Sequence, residues 1–530
     1  MKKKYLNSPL GKNNIRRAVY TDYKVVRIRT ETNGWGAVKS LVVMAVLGLQ
    51  LALIVSIYMF LGYLFKWYLT LSYILSLLTC IYVLSTNKNS LSKAVWVIFI
   101  LVSFGFGYII YFLSDERIFF GRSKKKYKKI FEGAQKYRDD NALPEGHEPI
   151  ARDAEYLFKT GGFVPYTFTE LKYYPSGAQL FDAVLEELDK AEKFIFIELY
   201  IISDGVLLKR VLDVLERKAA SGVDIRIIYD FIGCHRTLSA SSQKRIKKAG
   251  IKIMPFNRLT SRFSVALNFR DHRKMIIVDG RTVFTGGANL ADEYINEKRM
   301  FGYWKDAGLR AEGNAVSAFT LFFLRQWEFV TGAEEDYSPY VSAAQPKLSD
   351  SVVIPYADGL DYDYHIGKNV YENIISAAKE RLYVMTPYFI PDDSLLQLLI
   401  NKALSGTDVR LILPGIPDKS FVYSVTRNYA EKLIEVGVKV YCMKNSFVHS
   451  KLMLSENCAV IGSINLDLRS FYQQFEVAVY TDDRGVMSDL LSDFQSTFER
   501  SELIGEGNRM RRNILHRLYA GMLQLVAPFM

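Results

Sequence analysis

Three long apolar runs open the chain, and none recurs after residue 149. In residues 41–65 Gln50 is the only strongly polar side chain; 68–85 are apolar again after Lys66 and Trp67; and 94–113 form a third run beyond a polar turn at 86–93. A helix needs about 20 apolar residues to cross bilayer hydrocarbon. The first and third runs meet that length and the second is borderline, so 41–113 reads as two or three transmembrane helices. Their near-lack of charge argues against buried core helices. Their length and late start argue against a signal sequence. No ionisable residue lies within a run, which points to an anchor rather than a transport path.

From residue 149 onward, strand-like and helix-like periods alternate, the pattern of an α/β fold. The same unit is written twice. Phe194-Ile-Phe-Ile-Glu-Leu-Tyr-Ile-Ile202 parallels Leu382-Tyr-Val-Met-Thr-Pro-Tyr-Phe-Ile390, and Ser221-Gly-Val-Asp-Ile-Arg-Ile-Ile228 parallels Ser405-Gly-Thr-Asp-Val-Arg-Leu-Ile412. Gly250-Ile-Lys-Ile then parallels Gly437-Val-Lys-Val, and Asp271-His-Arg-Lys-Met-Ile-Ile parallels Val448-His-Ser-Lys-Leu-Met-Leu. Four matches in one order predict two homologous α/β halves, 149–335 and 350–505, each a mixed or parallel sheet with helices on both faces, related by a pseudo-two-fold. The Pro- and Ser-bearing stretch 333–350 reads as the boundary.

Charge sharpens this picture. The chain has 530 residues, 49% of them hydrophobic, and a formal net charge of +12, which suits a partner that is nucleic acid or an acidic membrane surface. Basic clusters flank the apolar region: residues 1–40 hold Lys2, Lys3, Lys4, Lys12, Arg16 and Arg17, and the juxtamembrane linker 114–148 holds Arg122, Lys124, Lys125, Lys126, Lys128 and Lys129. Two spans would keep both clusters on the inner side of a cell membrane and three would separate them; a cytoplasmic catalytic region is the expectation. Residues 506–530, basic and then apolar, read as an amphipathic segment that lies on a membrane or packs on the body. Cys80, Cys234, Cys442 and Cys458 show no zinc spacing and read as free thiols.

The candidate chemistry lies in the repeat. Two of six histidines, His272 and His449, occupy equivalent places, each followed two residues on by a lysine, Lys274 and Lys451. In extended backbone, positions i and i+2 share a face, so each half offers an imidazole and an ammonium together. A turn follows each pair, Asp279-Gly280 and Glu456-Asn457, and the returning strands end in Gly286-Gly-Ala-Asn289 and Gly462-Ser-Ile-Asn465. If the halves face each other, one imidazole can attack phosphorus and the other can protonate the leaving alcohol. Lys274, Lys451, Asn289, Ser463 and Asn465 would then steady the non-bridging oxygens. A lone His-x-Lys on a strand is usually an exposed pair; duplication in register argues otherwise. No residues cluster at metal-ligand spacing, and neither metal nor cofactor is expected.

His-x-Lys-x4-Asp-x6-Gly-Gly/Ser-x-Asn, present twice, resembles the phospholipase D superfamily. The first copy fits throughout; in the second, Glu456 stands where the family has Asp, or a deletion puts Ser455 there. Within the superfamily the chain is similar to bacterial cardiolipin synthases, through Met254-Pro-Phe-Asn257, Tyr303-Trp-Lys-Asp306, Asn465-Leu-Asp-Leu-Arg-Ser470 and the closing residues 517–530. The resemblance implies transfer of a phosphatidyl group between two phosphatidylglycerols through a phosphohistidine, with His272 as nucleophile and His449 as acid/base. It places Asp279 and Glu456 with the catalytic residues, and makes Asp306 and Glu476 the carboxylates bonded to the histidines. The implied partners are phosphatidylglycerol and anionic membrane lipid, with no nucleic acid. Two other readings stay open: a hydrolase using water as acceptor, on phospholipid or nucleic acid, and an inactive membrane scaffold.

Overall fold

The computed structural model describes residues 35–505, other than 61, 87, 89, 104, 115, 258–268, 342–346, 348 and 360–361, together with 519 and 521–524. The basic stretch 1–34 and most of the C-terminal segment 506–530 lie outside the described residues. Contacts divide the chain into two units, one ending at Leu75 and the other beginning at Ser76.

Apolar sequence makes α1 (Trp35–Phe60) and α2 (Gly62–Ser85). Among the described residues one helix, Lys66–Ser85, is long and apolar enough to cross a membrane; Leu41–Ile57 and Ser90–Val102 are shorter apolar stretches. The third run departs from expectation. It is no single spanning helix but two short ones, α3 (Ser90–Val102) and α4 (Gly107–Ser114). At about 1.5 Å per residue neither crosses hydrocarbon about 30 Å thick. The reversal needs its glycines: Gly105 has φ +91°, and a Cβ on Gly107 would collide with the Ile100 backbone. Ile100 and Tyr111 close the hairpin over Cys80 and Val83 of α2.

The stretch expected to be a linker, 114–148, is instead mostly α5 (Glu116–Ala134), docked on the helix Val316–Thr331. Tyr127 stacks on Phe329 with ring centroids 3.6 Å apart and donates to Gln326 at 2.8 Å. Lys126 donates to the Phe329 carbonyl and Lys124 pairs with Asp363. Its basic residues flank an apolar stripe that needed a partner.

The first half contains β1 (Thr169–Tyr174), β2 (Phe194–Leu199), β3 (Asp224–Asp230), β4 (Lys252–Phe256), β5 (Arg270–Asp271), β6 (Lys274–Val278), β7 (Thr282–Gly286), β8 (Tyr303–Lys305) and β9 (Gly308–Gly313). The second contains β10 (Val353–Asp358), β11 (Arg381–Met385), β12 (Phe389–Ile390), β13 (Asp408–Pro414), β14 (Lys439–Met443), β15 (Ser446–Val448), β16 (Leu452–Ser455), β17 (Ala459–Gly462), β18 (Leu466–Asp467), β19 (Gln474–Thr481) and β20 (Ser501–Leu503). The main sheets run β1-β9-β7-β6-β2-β3-β4 and β10-β19-β17-β16-β11-β13-β14-β20. Both are mixed. β2, β3 and β4 are parallel, as are β11, β13 and β14, while the hairpin that follows each His-x-Lys makes the rest antiparallel. One apolar core runs through both halves, from Phe194 and Phe196 to Val353 and Val479, with the almost wholly buried helix Val316–Thr331 inside it.

The turns explain the motif carboxylates. Asp279 and Gly280 both have positive φ, +53° and +63°, as the tight turn closed by Arg281 N–H on Val278 O requires. The Asp279 carboxylate accepts from the backbone N–H groups of Glu192, Lys193 and Phe194 at 2.7–2.9 Å, pinning the start of β2. Glu456 does the same for the second half, accepting from Lys379 and Arg381 N–H. Ser455 instead caps its own turn through Asn457 and Cys458 N–H, so Glu456 is the counterpart of Asp279. Replacing Asp279 by Ala orphans three backbone donors and should destabilise the protein by roughly 2 kcal/mol or more. Glu456→Ala should cost about half as much, both read by chemical denaturation. Activity per folded molecule should survive both changes, and its loss would return these carboxylates to the chemistry.

Candidate active site

Two short strand pairings between the halves build the site. β5, directly before His272, runs parallel to the start of β19, directly before Glu476. β15, directly before His449, runs parallel to β8, directly before Asp306. The ladder continues one residue further in each case: His272 N–H donates to Phe475 O at 2.9 Å, and His449 N–H to Lys305 O at 2.7 Å. Each histidine therefore faces the carboxylate of the opposite half. His272 Nδ1 lies 2.9 and 3.0 Å from the Glu476 oxygens, and His449 Nδ1 lies 2.7 Å from Asp306 Oδ2. A carboxylate on Nδ1 holds the proton there and leaves Nε2 as the free nitrogen. Both rings line one cavity of about 330 Å³ to which both halves contribute.

The lysines lie beneath. Lys274 Nζ donates to His272 O at 2.6 Å. Lys451 Nζ donates to His449 O and sits within 3.1 Å of both ring nitrogens. Both are almost wholly buried. Burial lowers Lys274 to about 7, with Lys451 pushing the same way and Glu476 opposing. Burial likewise lowers Lys451 to about 8 against the pull of Asp306 and Glu476. Burial and then Lys274 and Lys451 hold His272 well below the ordinary imidazole value. His449 falls to about 4 through burial and Lys451, against Asp306. The site's own groups thus set two neutral imidazoles above two ammonium groups that an anion would stabilise.

The carboxylates differ. Burial works against ionised Asp306, but the charges of His449 and Lys451 and hydrogen bonds from His449 and Ala307 N–H outweigh it and leave the pKa lowered. Burial pushes Glu476 well up, opposed by Lys274 and the Ser463 hydroxyl. Ser463, expected to meet substrate, donates to Glu476 and accepts from Val477 N–H instead. At the equivalent Gly287 any Cβ would strike the Asp306 carboxylate.

Asn289 and Asn465 line the cavity. Asn289 is engaged at both ends, accepting from Ile201 N–H and donating to Tyr294 Oη, whereas Asn465 Oδ1 is buried with no hydrogen-bond partner. Asp279 and Glu456, expected among the catalytic residues, line none of this cavity; β6 carries Asp279 roughly 16 Å from Lys274. Among the described residues no cluster of His, Cys, Asp and Glu could hold a metal ion.

Pattern reading missed Arg273 and the aromatic neighbours. Arg273, inside the first His-x-Lys, donates to Glu476 O and Asp358 O across the halves; Ser450, its counterpart, donates to Lys305 O. Tyr200 packs on His272, and Tyr294 and Trp304 pack on His449. Tyr200 stands in the repeated segment, where Tyr388 is its counterpart, and Trp304 stands in Tyr303-Trp-Lys-Asp306, but neither pattern says that the ring meets a histidine.

Residues 184–299 and 371–500 match the family model described as cardiolipin synthase, PLD-like domain. A cardiolipin synthase of Alkalihalophilus pseudofirmus is 32% identical over 90% of this chain and 97% of its own length. Cardiolipin synthase 2 of Bacillus cereus is 32% identical over 84% of this chain and 88% of its own length. An uncharacterised protein of Streptococcus mutans is 36% identical over 85% and 99%. In fold, the chain resembles the crystal structure of phosphatidylserine synthase from Haemophilus influenzae, with a TM-score of 0.55 and 14% identity over 72% of this chain and 99% of that one.

The lysines generate a pH test. They keep their protons below about 7 and about 8 and lose them as pH rises through those values. Sulfate keeps a fixed charge across this range. Its affinity, read by calorimetry, should fall with rising pH by roughly tenfold per unit for each lysine titrated, and binding near neutral pH should take up protons. A flat profile would show that these ammonium groups do not hold the anion.

Proposed function

The chain belongs to the cardiolipin synthase family, with phospholipase D-like catalytic halves, and from that premise we propose that it moves a phosphatidyl group from one phosphatidylglycerol to the headgroup hydroxyl of another, giving cardiolipin and glycerol. The observation that carries the reading is the pair of imidazoles over one cavity, each bonded at Nδ1 to a carboxylate of the other half, above two buried lysines.

In the first step the free Nε2 of neutral His272 attacks phosphorus, the bond to the glycerol oxygen breaks, and His449 gives that oxygen a proton. The bound phosphodiester supplies the negative charge that lets His449 hold that proton, an effect that the lowering of His449 to about 4 by its protein surroundings makes necessary. In the second step His449 takes the proton of the incoming hydroxyl, the new P–O bond forms and the P–N bond to His272 breaks. His272 suits the nucleophile because burial and the two lysines keep its imidazole neutral, and His449 suits proton transfer because ionised Asp306 steadies its imidazolium. Lys274, Lys451 and the asparagines hold the non-bridging oxygens.

We place this chemistry at a cell membrane. The exposed faces of α1 and α2 carry Leu41, Met44, Leu49, Leu51, Leu71, Leu77 and Leu78, which suits lipid as their surroundings. With α1 and α2 as the spans, the basic stretches before and after them fall on one side, the cytoplasmic one by the distribution of positive charge.

Purified protein given phosphatidylglycerol in mixed micelles should yield cardiolipin and glycerol in equal amounts; phosphatidic acid alone would mean that water is the acceptor. His272→Ala and His449→Ala should each abolish turnover. Intact-protein mass should show a phosphatidyl adduct accumulating on the His449→Ala variant and none on His272→Ala. An adduct on His272→Ala would reverse the two roles.

A further inference from the structure

The repeat is symmetric in its histidines and lysines but not around them. Four residues beyond each motif asparagine stand Glu293 in the first half and Arg469 in the second. Two residues before each carboxylate stand Trp304 and Gln474. All four line the cavity, so equivalent positions of the two walls differ in charge and in polarity.

Each wall belongs to one histidine. Tyr294 and Trp304 pack on His449 with ring centroids 5.3 and 5.5 Å away, and on each other at 4.9 Å. Glu293 adjoins Tyr294 and its charge acts on the phenol. Arg469 acts instead on His272 and Tyr200. Glu293 and two aromatic rings thus flank His449, whereas Arg469, Gln474 and one ring, Tyr200, lie on the His272 side, where Asp467 also lines the cavity. On the His449 side, Trp304 is 8% exposed and its Nε1–H has no hydrogen-bond partner. A buried donor left unpaired costs free energy that a ligand oxygen can recover.

We propose that Glu293, Tyr294 and Trp304 beside His449 form a headgroup subsite for an uncharged polyol, and that Arg469 beside His272 attracts the phosphatidyl anion. The inference rests on the transfer reading above, with His449 as the group that exchanges protons with the alcohol. The leaving glycerol and the attacking glycerol headgroup then occupy the same place in turn. A carboxylate accepts hydrogen bonds from neighbouring hydroxyls, an indole N–H donates to one, and aromatic faces cover the carbon chain. The acid also disfavours a second phosphate entering head-on at that wall, so the acceptor lipid presents its glycerol end to the histidine. In the exchange step the polyol O–H gives its proton to His449, its oxygen bonds to phosphorus, and His272 leaves with the electrons of the P–N bond.

Glycerol exchange tests this without a second lipid. Full-length protein in micelles of phosphatidylglycerol is given labelled glycerol or 1-propanol, and incorporation into lipid is measured for each. The wild type should prefer glycerol. Glu293→Ala and Trp304→Phe should each reduce the ratio of kcat/KM for glycerol to that for propanol, by roughly tenfold for Glu293→Ala. Arg469→Gln should raise the KM for phosphatidylglycerol and leave that ratio alone, with Arg469→Lys restoring part of the loss. An unchanged ratio in both Glu293→Ala and Trp304→Phe, or a ratio lowered by Arg469→Gln, overturns the assignment of the walls. A wild type that makes cardiolipin yet shows no preference for glycerol overturns it as well. A wild type that forms neither cardiolipin nor exchanged lipid overturns the transfer reading beneath it.

Discussion

The site depends on two strand pairings, one of two residues and one of three, that cross from one half to the other. Without β5 on β19 and β15 on β8, neither histidine would meet a carboxylate, since neither half places its own acid beside its own imidazole. A half alone would bury an imidazole, a lysine and an acid with the wrong neighbours. The crossed ladder makes duplication a requirement of the chemistry. It also fixes the register: because the pairing runs on through His272 N–H and His449 N–H, a slip of one residue would turn each acid to the other face of its strand. Arg273 and Ser450, donating across the same seams, oppose such a slip.

Burying two lysines, two histidines and two acids together is unfavourable unless each charge has a partner. The site manages this by leaving both histidines neutral and lowering both lysines towards neutrality. On the transfer reading, a phosphodiester would pair with the lysines and restore protons to the groups that need them, so that binding and activation would be one electrostatic event. The carboxyl turns at Asp279 and Glu456 contribute at a distance, by fixing where the central strands begin.

The repeat made the two halves, the hairpins and the four groups of the two His-x-Lys motifs legible in sequence, because period, turn chemistry and motif are local. The crossing of the carboxylates was not legible. Asp306 and Glu476 are equivalent positions, and no local pattern says which histidine each will meet. Ser463 misled for a related reason: its place in Gly-x-x-Asn looks like a phosphate contact, yet the longer Glu476 side chain comes within reach of its hydroxyl. The third apolar run misled because hydropathy counts residues and does not register two glycines that let a helix fold back. Likewise the basic residues of α5 hid an apolar stripe that docks on the helix Val316–Thr331.

Duplication supplies equivalent positions, and divergence at those positions gives the site its direction. Gly287 leaves room for Asp306, which Lys451 and hydrogen bonds from His449 and Ala307 N–H keep ionised, whereas burial holds Glu476 towards neutrality against the Ser463 hydroxyl. Asn289 is occupied at both ends while the oxygen of Asn465 is left open, because the N–H of Phe389, the counterpart of Ile201, is taken by Thr426. Glu293 and Arg469 put opposite charges at equivalent positions. A perfectly symmetric dimer of halves would bind a phosphodiester equally well in either orientation, with either histidine as the nucleophile. Each small departure from symmetry removes part of that degeneracy, and on the transfer reading together they would fix which imidazole attacks and which moves the proton.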